Sequence, residues 1–209
     1  MAAVHPDHHH HQTPSSSSTT AASSYMTCRR ETFTVWMKSL VFHGNGCTVF
    51  DSSGAIVYRI DNYDKKSGGS EVYLMDLRGK VLFSVRRKKL GPFRRWSGYR
   101  WSGSRVMEER PLFDVRRYCN ILKRDVVCHV SLGTGKARAC GYTIQGLAGK
   151  LEFKLTDSHG GLVAEVRKKQ LSSGLVLGED VLSLVVEPQT DHSLVMALVT
   201  VYGIMADKI

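Results

Sequence analysis

The C-terminal run TDHSLVMALVTVYGIMADKI, residues 190–209, restricts the possible folds more than any other stretch. Thr190 or Asp191 is a sound helix N-cap, because a side-chain oxygen there accepts from the free N–H groups of a first turn. From Leu194 to Ala206 only Thr200 and Tyr202 carry polar side-chain groups. A helix that is apolar on nearly all sides has to be enclosed, by protein or by lipid. Over 191–206 such a helix measures about 24 Å, short of the roughly 30 Å of hydrocarbon in a bilayer. No apolar run elsewhere reaches the ~18 residues of a conventional span, so no transmembrane segment is expected and enclosure by protein is.

The rest of the chain supplies material for the enclosure. From Phe33 onward, short apolar or alternating runs are separated by turn residues: FTVWMKSLVFHGNG, CTVFDSSGAIVYRI, EVYLMDLRGKVLFSVRRKKL, RPLFDVRR, VVCHVSLGTGKARACGYTIQG and LEFKLTDSHGGLVAEVRKKQL. This is the cadence of antiparallel hairpins. Asn45-Gly46 is predicted to form a tight turn, since both positions tolerate positive φ. Three segments place Asp, two residues and Gly between strand-like flanks: Asp51/Gly54, Asp76/Gly79 and Asp157/Gly160. The Asp can accept from nearby backbone N–H groups while the Gly takes the left-handed conformation, so this is turn chemistry and not a catalytic acid. VRRKKL at 85–90 echoes VRKKQL at 166–171 at the same distance from its Asp, which suggests two related halves, roughly 47–125 and 126–189. DVLSLVVEP, 180–188, is predicted to be a last strand stopped by Pro188. Many strands followed by one enclosed helix predict a mainly β protein, a closed sheet wrapped around its own C-terminal helix.

Residues 1–29 are mostly His, Ser, Thr and Ala without periodic apolar positions, and are expected to be disordered; His8 to His11 have nothing nearby to fix a metal's geometry. The five cysteines, Cys28, Cys47, Cys119, Cys128 and Cys140, fit no zinc or redox spacing. Free thiols in a reducing compartment are expected, with Cys119, Cys128 and Cys140 buried. No signal peptide is visible. The expected location is therefore inside the cell, in the cytoplasm, on a membrane surface or in the nucleus.

The formal net charge is +10, and Phe83 to Arg124, with thirteen Lys or Arg against three acidic residues, accounts for an excess of that size. Such a field favours anionic partners: nucleic acid, anionic lipid or acidic protein. In FSVRRKKLGPFRRW the cations begin where a strand ends. Val81, Phe83 and Val85 are predicted on one face and Leu82, Ser84 and Arg86 on the other.

In order and spacing, VFDSSGAIVYRIDNY, LMDLRGKVLFSVRRKKL, the Arg-Arg-Trp of 94–96, PLFDVRR at 111–117, VAEVRKKQ and EDVLSLVVEPQTDHSLVMALV resemble the plant LURP-one-related family. The resemblance runs from about Phe33 to Ile209. It implies a fold similar to the C-terminal domain of tubby proteins and to phospholipid scramblases. That fold is an antiparallel barrel of about twelve strands, over 30–209, enclosing a hydrophobic C-terminal helix. It also implies a role as a binding or scaffold protein, tied to membrane phospholipid or to plant defence. This chain departs from the family's pattern in GPFRRWSGYRWSGSRV, which is richer in Arg and aromatics, and at Leu194, where a larger aromatic is usual.

No Ser–His–Asp order or metalloprotease spacing emerges around His43, His129, His159 and His192, and SLGTGKA, 131–137, lacks the spacing of a phosphate loop. No enzyme, metal or cofactor is expected. The candidate site is an anionic-ligand patch of Arg86, Arg87, Lys88, Lys89, Arg94, Arg95, Trp96, Arg100, Trp101 and Arg105. Three readings stay open. Lys and Arg can bind anionic lipid headgroups while Phe93, Trp96 and Trp101 sit at the interface. Alternatively, cations meet phosphates and aromatics stack on bases. In the third, Trp96 and Trp101 close one end of the barrel and the charges stay wet. The first is the expected function, nucleic-acid binding through residues 86–105 the alternative, and a monomer is expected.

Overall fold

Each Asp-x-x-Gly segment makes a hairpin, and the three are built alike. In the computed structural model Asp51 Oδ1 accepts from the backbone N–H of Ser53 and Ala55, Asp76 Oδ1 from Arg78 and Lys80, and Asp157 Oδ1 from His159 and Gly161, all at 2.8–2.9 Å. Gly54, Gly79 and Gly160 hold φ near +80° (85°, 77° and 83°), where a side chain would be strained. The ladder slips one residue before each Asp, between Val49 and Phe50, Leu74 and Met75, and Leu155 and Thr156. The repeated sequence therefore encodes a repeated backbone: a turn, a glycine bulge and the added twist that curls a sheet.

The structure describes residues 25–37, 45–62, 71–88, 95–102, 105–106, 110–119, 125–133, 139–171 and 173–206. In chain order the strands are β1 (Glu31–Trp36), β2 (Asn45–Phe50), β3 (Ile56–Asn62), β4 (Glu71–Asp76), β5 (Val81–Lys88), β6 (Arg95–Ser102) and the two-residue β7 (Arg105–Val106). They continue with β8 (Phe113–Cys119), β9 (Asp125–Leu132), β10 (Ala139–Leu147), β11 (Phe153–Asp157), β12 (Leu162–Lys168) and β13 (Val181–Val186), and the helix α1 (His192–Met205) follows. All pairings are antiparallel, in the order β5-β4-β3-β2-β1-β13-β12-β11-β10-β9-β8-β6, and β5 pairs with β6 to close the ring. The wall thus has twelve strands, with β7 a flap on β6. The expected closed barrel is the observed one. β5 and β12, which carry the echoed VRRK and VRKK, stand half a turn apart around it.

The helix lies inside. Asp191 caps it, accepting from the N–H of Ser193 at 3.0 Å and Leu194 at 3.2 Å. Val195 to Gly203 are all buried, in one core with Val35, Ile60, Leu74, Phe83, Val115 and Leu184 from the wall. Thr200, one of two polar residues on the apolar run, donates to the Met196 carbonyl at 2.9 Å, so its hydroxyl is satisfied within the helix. A glycine makes one part of this packing possible. A Cβ on Gly98 would lie 2.1 Å from the Phe113 ring, so β6 carries no side chain where Phe113 crosses it.

Three expectations are corrected. Asn45 and Gly46 are not a turn; they open β2, paired with Asn62 and Asp61, because ladder pairing with β3 overrides the local turn preference. Tyr25 to Arg29 belong to the fold rather than to a tail: Met26 bridges to Asp191, the Tyr25 carbonyl accepts from the His192 N–H at 2.9 Å and that of Thr27 from the Gln189 N–H at 2.8 Å. Disorder over residues 1–24 lies outside the described residues. The third correction concerns the thiols. Cys47 and Cys128 are buried, but Cys140 is exposed, at the slip in register between Cys140 and Tyr142. The side chain of Cys119 is outside the described residues. Among those residues no helix is long and apolar enough to cross a membrane.

Candidate anionic-ligand site

The expected patch spans β5 and β6, and the period of two along a strand divides it. In β6, Trp96, Gly98 and Arg100 face inward while Arg95, Ser97, Tyr99 and Trp101 face outward. Trp96 is a core residue. Arg100 lies over the Phe83 ring, 4.9 Å from its centre, and its Nη2 donates to Asp191 Oδ2 at 2.5 Å. Neither belongs to an outer surface.

On the outside, the Trp101 indole N–H donates to Ser84 Oγ at 3.1 Å, and the ring meets Tyr73 edge-on at 6.1 Å. Ser84, expected on the same face as Arg86, is buried by this cover. Tyr99 is only 6% exposed, with the Arg86 guanidinium 4.8 Å over its ring. Arg86 also donates to Glu71 at 2.7 Å, and Lys88 Nζ donates to the Tyr99 hydroxyl at 3.3 Å. Arg95 grips Asp114 with two hydrogen bonds of 3.2 and 2.7 Å, and Ser97 donates to the same carboxylate. Asp114 is almost wholly buried, and Arg95 supplies the cation that meets its charge. Arg87 is exposed at the rim and makes no ion pair among the described residues.

The structure therefore brings Arg86 and Lys88 together on Tyr99, leaves Arg87 exposed at the end of β5 and Arg95 on Asp114, and withdraws Trp96 and Arg100 into the barrel. Arg105 pairs through its backbone with Ser102 in β7. Its side chain, and Lys89, Phe93 and Arg94, lie outside the described residues.

Arg100 belongs to a second cluster, at the barrel end where the helix begins. The Tyr58 hydroxyl and His192 Nδ1 share a 2.5 Å hydrogen bond, and Tyr25 and Phe33 pack their rings on His192. Burial lowers the His192 pKa, against the raising effect of Asp191 and Glu31, and burial raises that of Tyr58. Burial pushes Asp191 up, but hydrogen bonds from Ser193 and Arg100 outweigh it and hold the carboxyl below its ordinary range. This cluster locks the helix start to the wall. Sequence reasoning missed it; its one visible sign was the cap at Asp191.

A groove of about 760 Å³ crosses the wall formed by β1, β12 and β13, away from the patch, with Thr32, Lys169 and Ser183 among its lining residues. Its carboxylates Glu165 and Glu187 are already paired with Arg167 and Arg30. No group of three His, Cys, Asp or Glu able to hold a metal ion occurs among the described residues.

Comparison with known proteins agrees with this architecture. The model of a family described as LURP-one-related matches residues 31–203. Protein LURP-one-related 3 of Arabidopsis thaliana is 46% identical over 192 residues, covering 88% of this chain and 84% of that protein. Protein LURP-one-related 11 of the same plant is 42% identical over 209 residues, covering 98% and 89%. An X-ray structure of an Arabidopsis thaliana protein superposes with a TM-score of 0.61 at 19% identity, over 88% of this chain and 93% of that one, and so shares the fold.

Proposed function

The chain belongs to the LURP-one-related family, and from that premise we propose that it is a non-enzymatic binding protein whose basic strand ends hold anionic phospholipid headgroups. The observation that carries this reading is the chemistry at the end of β5. Among the described residues Arg87 is exposed without an ion pair and Lys88 has Tyr99 as its partner, while Arg86 beside them is fixed by Glu71 and the Tyr99 ring. Cations on a rigid strand, two of them with no carboxylate among the described residues to displace, suit an anionic surface, where each contributes about 1 kcal/mol.

The aromatics argue for lipid over nucleic acid. Stacking of bases needs open ring faces. Trp96 is buried in the core, and Tyr99 lies beneath Arg86. The proposed site of action is the membrane surface inside the cell.

Flotation with liposomes tests the reading. Wild type is expected to float with vesicles containing phosphatidylserine and to stay behind with neutral ones. Arg87→Ser/Lys88→Ser is expected to float several-fold less. Arg95 and Arg100 should stay intact in this test, because their loss removes the cation paired with Asp114 or Asp191. Equal flotation on neutral and anionic vesicles, or none, would contradict the reading, as would tight salt-dependent binding to single-stranded DNA alone.

A further inference from the structure

We infer that the barrel docks end-on: the rim at the C-terminal end of the helix is the membrane-facing surface, and the leucine-tipped connection between β12 and β13 enters the bilayer. The inference rests on the phospholipid reading and assigns it an orientation and an inserting element.

Strand direction defines the rim. Neighbouring strands are antiparallel around the ring, so β5, β8, β10 and β12 all end at the same side. The helix ends there too. The Tyr202 hydroxyl donates to the Leu147 carbonyl, the last residue of β10, at 3.4 Å, and Arg117 and Lys150 line a small hollow with Met205 and Ala206. The opposite end holds the helix start, closed by Arg100, Asp191 and Tyr58.

Most of the exposed apolar side chains among the described residues gather at this rim, with Met26, Leu77 and Leu162 at the opposite end. After β12 the chain folds back on itself: Gln170 bridges to Val176, Leu171 N–H donates to the Leu175 carbonyl at 2.8 Å and Leu177 N–H to the Lys169 carbonyl at 3.0 Å. The described residues of this fold-back present Leu171, Leu175 and Leu177 to solvent, Leu175 with 65% of its surface exposed. Leu147 and Tyr118, at the ends of β10 and β8, are exposed at the same rim. Apolar side chains clustered at one end of a barrel mark an interaction surface.

Charge selects the occupant. Arg87, Arg116, Arg117 and Lys150 sit at this rim without an ion pair among the described residues, and Lys169 donates to Thr34. Arg117 also has a reason within the fold, since it stands by the negative end of the helix dipole. Arg116 and Arg87 have none, and Arg116 stands in the ladder opposite Arg95, whose charge Asp114 already meets, so the Arg116 charge is left for an outside anion. Greasy tips ringed by cations match the acyl boundary and headgroups of an anionic leaflet.

Phosphatidylserine-containing liposomes, with the full chain, test this. Leu175→Ser/Leu177→Ser alters two exposed side chains and is expected to keep the wild-type circular dichroism. Its flotation should fall at least tenfold, on the order of one leucine's transfer from water. A Leu175→Cys chain carrying a polarity-sensitive dye, placed on a background lacking the exposed cysteines, should shift to the blue on vesicles. If wild type floats and the double variant floats equally, the orientation is wrong while the phospholipid reading stands. If wild type does not float at all, both fall. If the double variant floats equally but converts a wild-type dimer to monomer, the leucines serve a second copy and the inference is overturned.

Discussion

Arg100 and Asp191 are 91 residues apart in the chain, and their 2.5 Å ion pair joins the inner wall of the barrel to the cap of the helix inside it. Asp191 thus does two things at once. Its Oδ1 receives the N–H groups of the first helical turn, and its Oδ2 receives the guanidinium.

Removing that carboxylate should cost more than a cap. Asp191→Ala loses about 1 kcal/mol of capping and leaves the partly buried Arg100 without its carboxylate, for a total of roughly 2–3 kcal/mol. Urea denaturation should show it. In a double-mutant cycle with Arg100→Leu, the coupling should be about 1–3 kcal/mol; additive losses would mean that the pair contributes nothing.

Acid should act on the same end of the barrel in two stages. Burial lowers the His192 pKa in the folded state, so its contribution is complete above about pH 6.5 and is lost as pH falls through the lowered folded value. The Asp191 carboxyl is held low, so its contribution is present above about pH 4 and is lost as pH falls further. Urea midpoints across pH 8 to 3 should decline first gently and then steeply. His192→Gln should flatten the first stage, and Asp191→Asn the second. An unchanged profile in both variants would contradict the assignment.

Gly98 should tolerate no side chain while Phe113 keeps its place. Gly98→Ala puts a methyl into the Phe113 ring, a contact of 2.1 Å, and should cost about 1–3 kcal/mol or more. Gly98→Ala/Phe113→Leu should recover part of the loss. Thermal unfolding of the two single variants and the double would measure it.

The thiols should divide by burial. Cys28 and Cys140 are exposed and should react with iodoacetamide in the native protein, whereas Cys47 and Cys128 should react only on unfolding. Burial pushes the Cys128 thiol up to about 12, and that of Cys47 further, which removes the reactive thiolate as well as access. Mass spectrometry of the peptides would separate the two classes.

The barrel was legible in the sequence because two of its signals are local. An all-round apolar helix has to be enclosed, and Asp-x-x-Gly between strand-like flanks specifies a hairpin wherever it occurs. The candidate site was legible only in part. Its cations read as one cluster along the chain, but the β6 run RWSGYRW alternates across a sheet, so Trp96 and Arg100 turn inward while Arg95, Tyr99 and Trp101 turn out. The period of two, applied to those residues, would have separated them. What no local pattern reveals is partnership at long range: Asp114 for Arg95, Asp191 for Arg100, and the common rim of Lys88, Lys150 and Lys169, which follows from strand order. Asn45-Gly46 failed for the same reason, since pairing with β3 decided its conformation.

The central claim is that the apolar helix is the core of its own barrel, and native-state hydrogen exchange tests it most directly. The amides of Met196 to Val201 should exchange only through global unfolding, with a protection free energy equal to that from urea denaturation and lowered in step by Leu198→Ala, which should cost about 2–5 kcal/mol. Exchange of those amides on the timescale of exposed loops, in a protein whose strands remain protected, would contradict it.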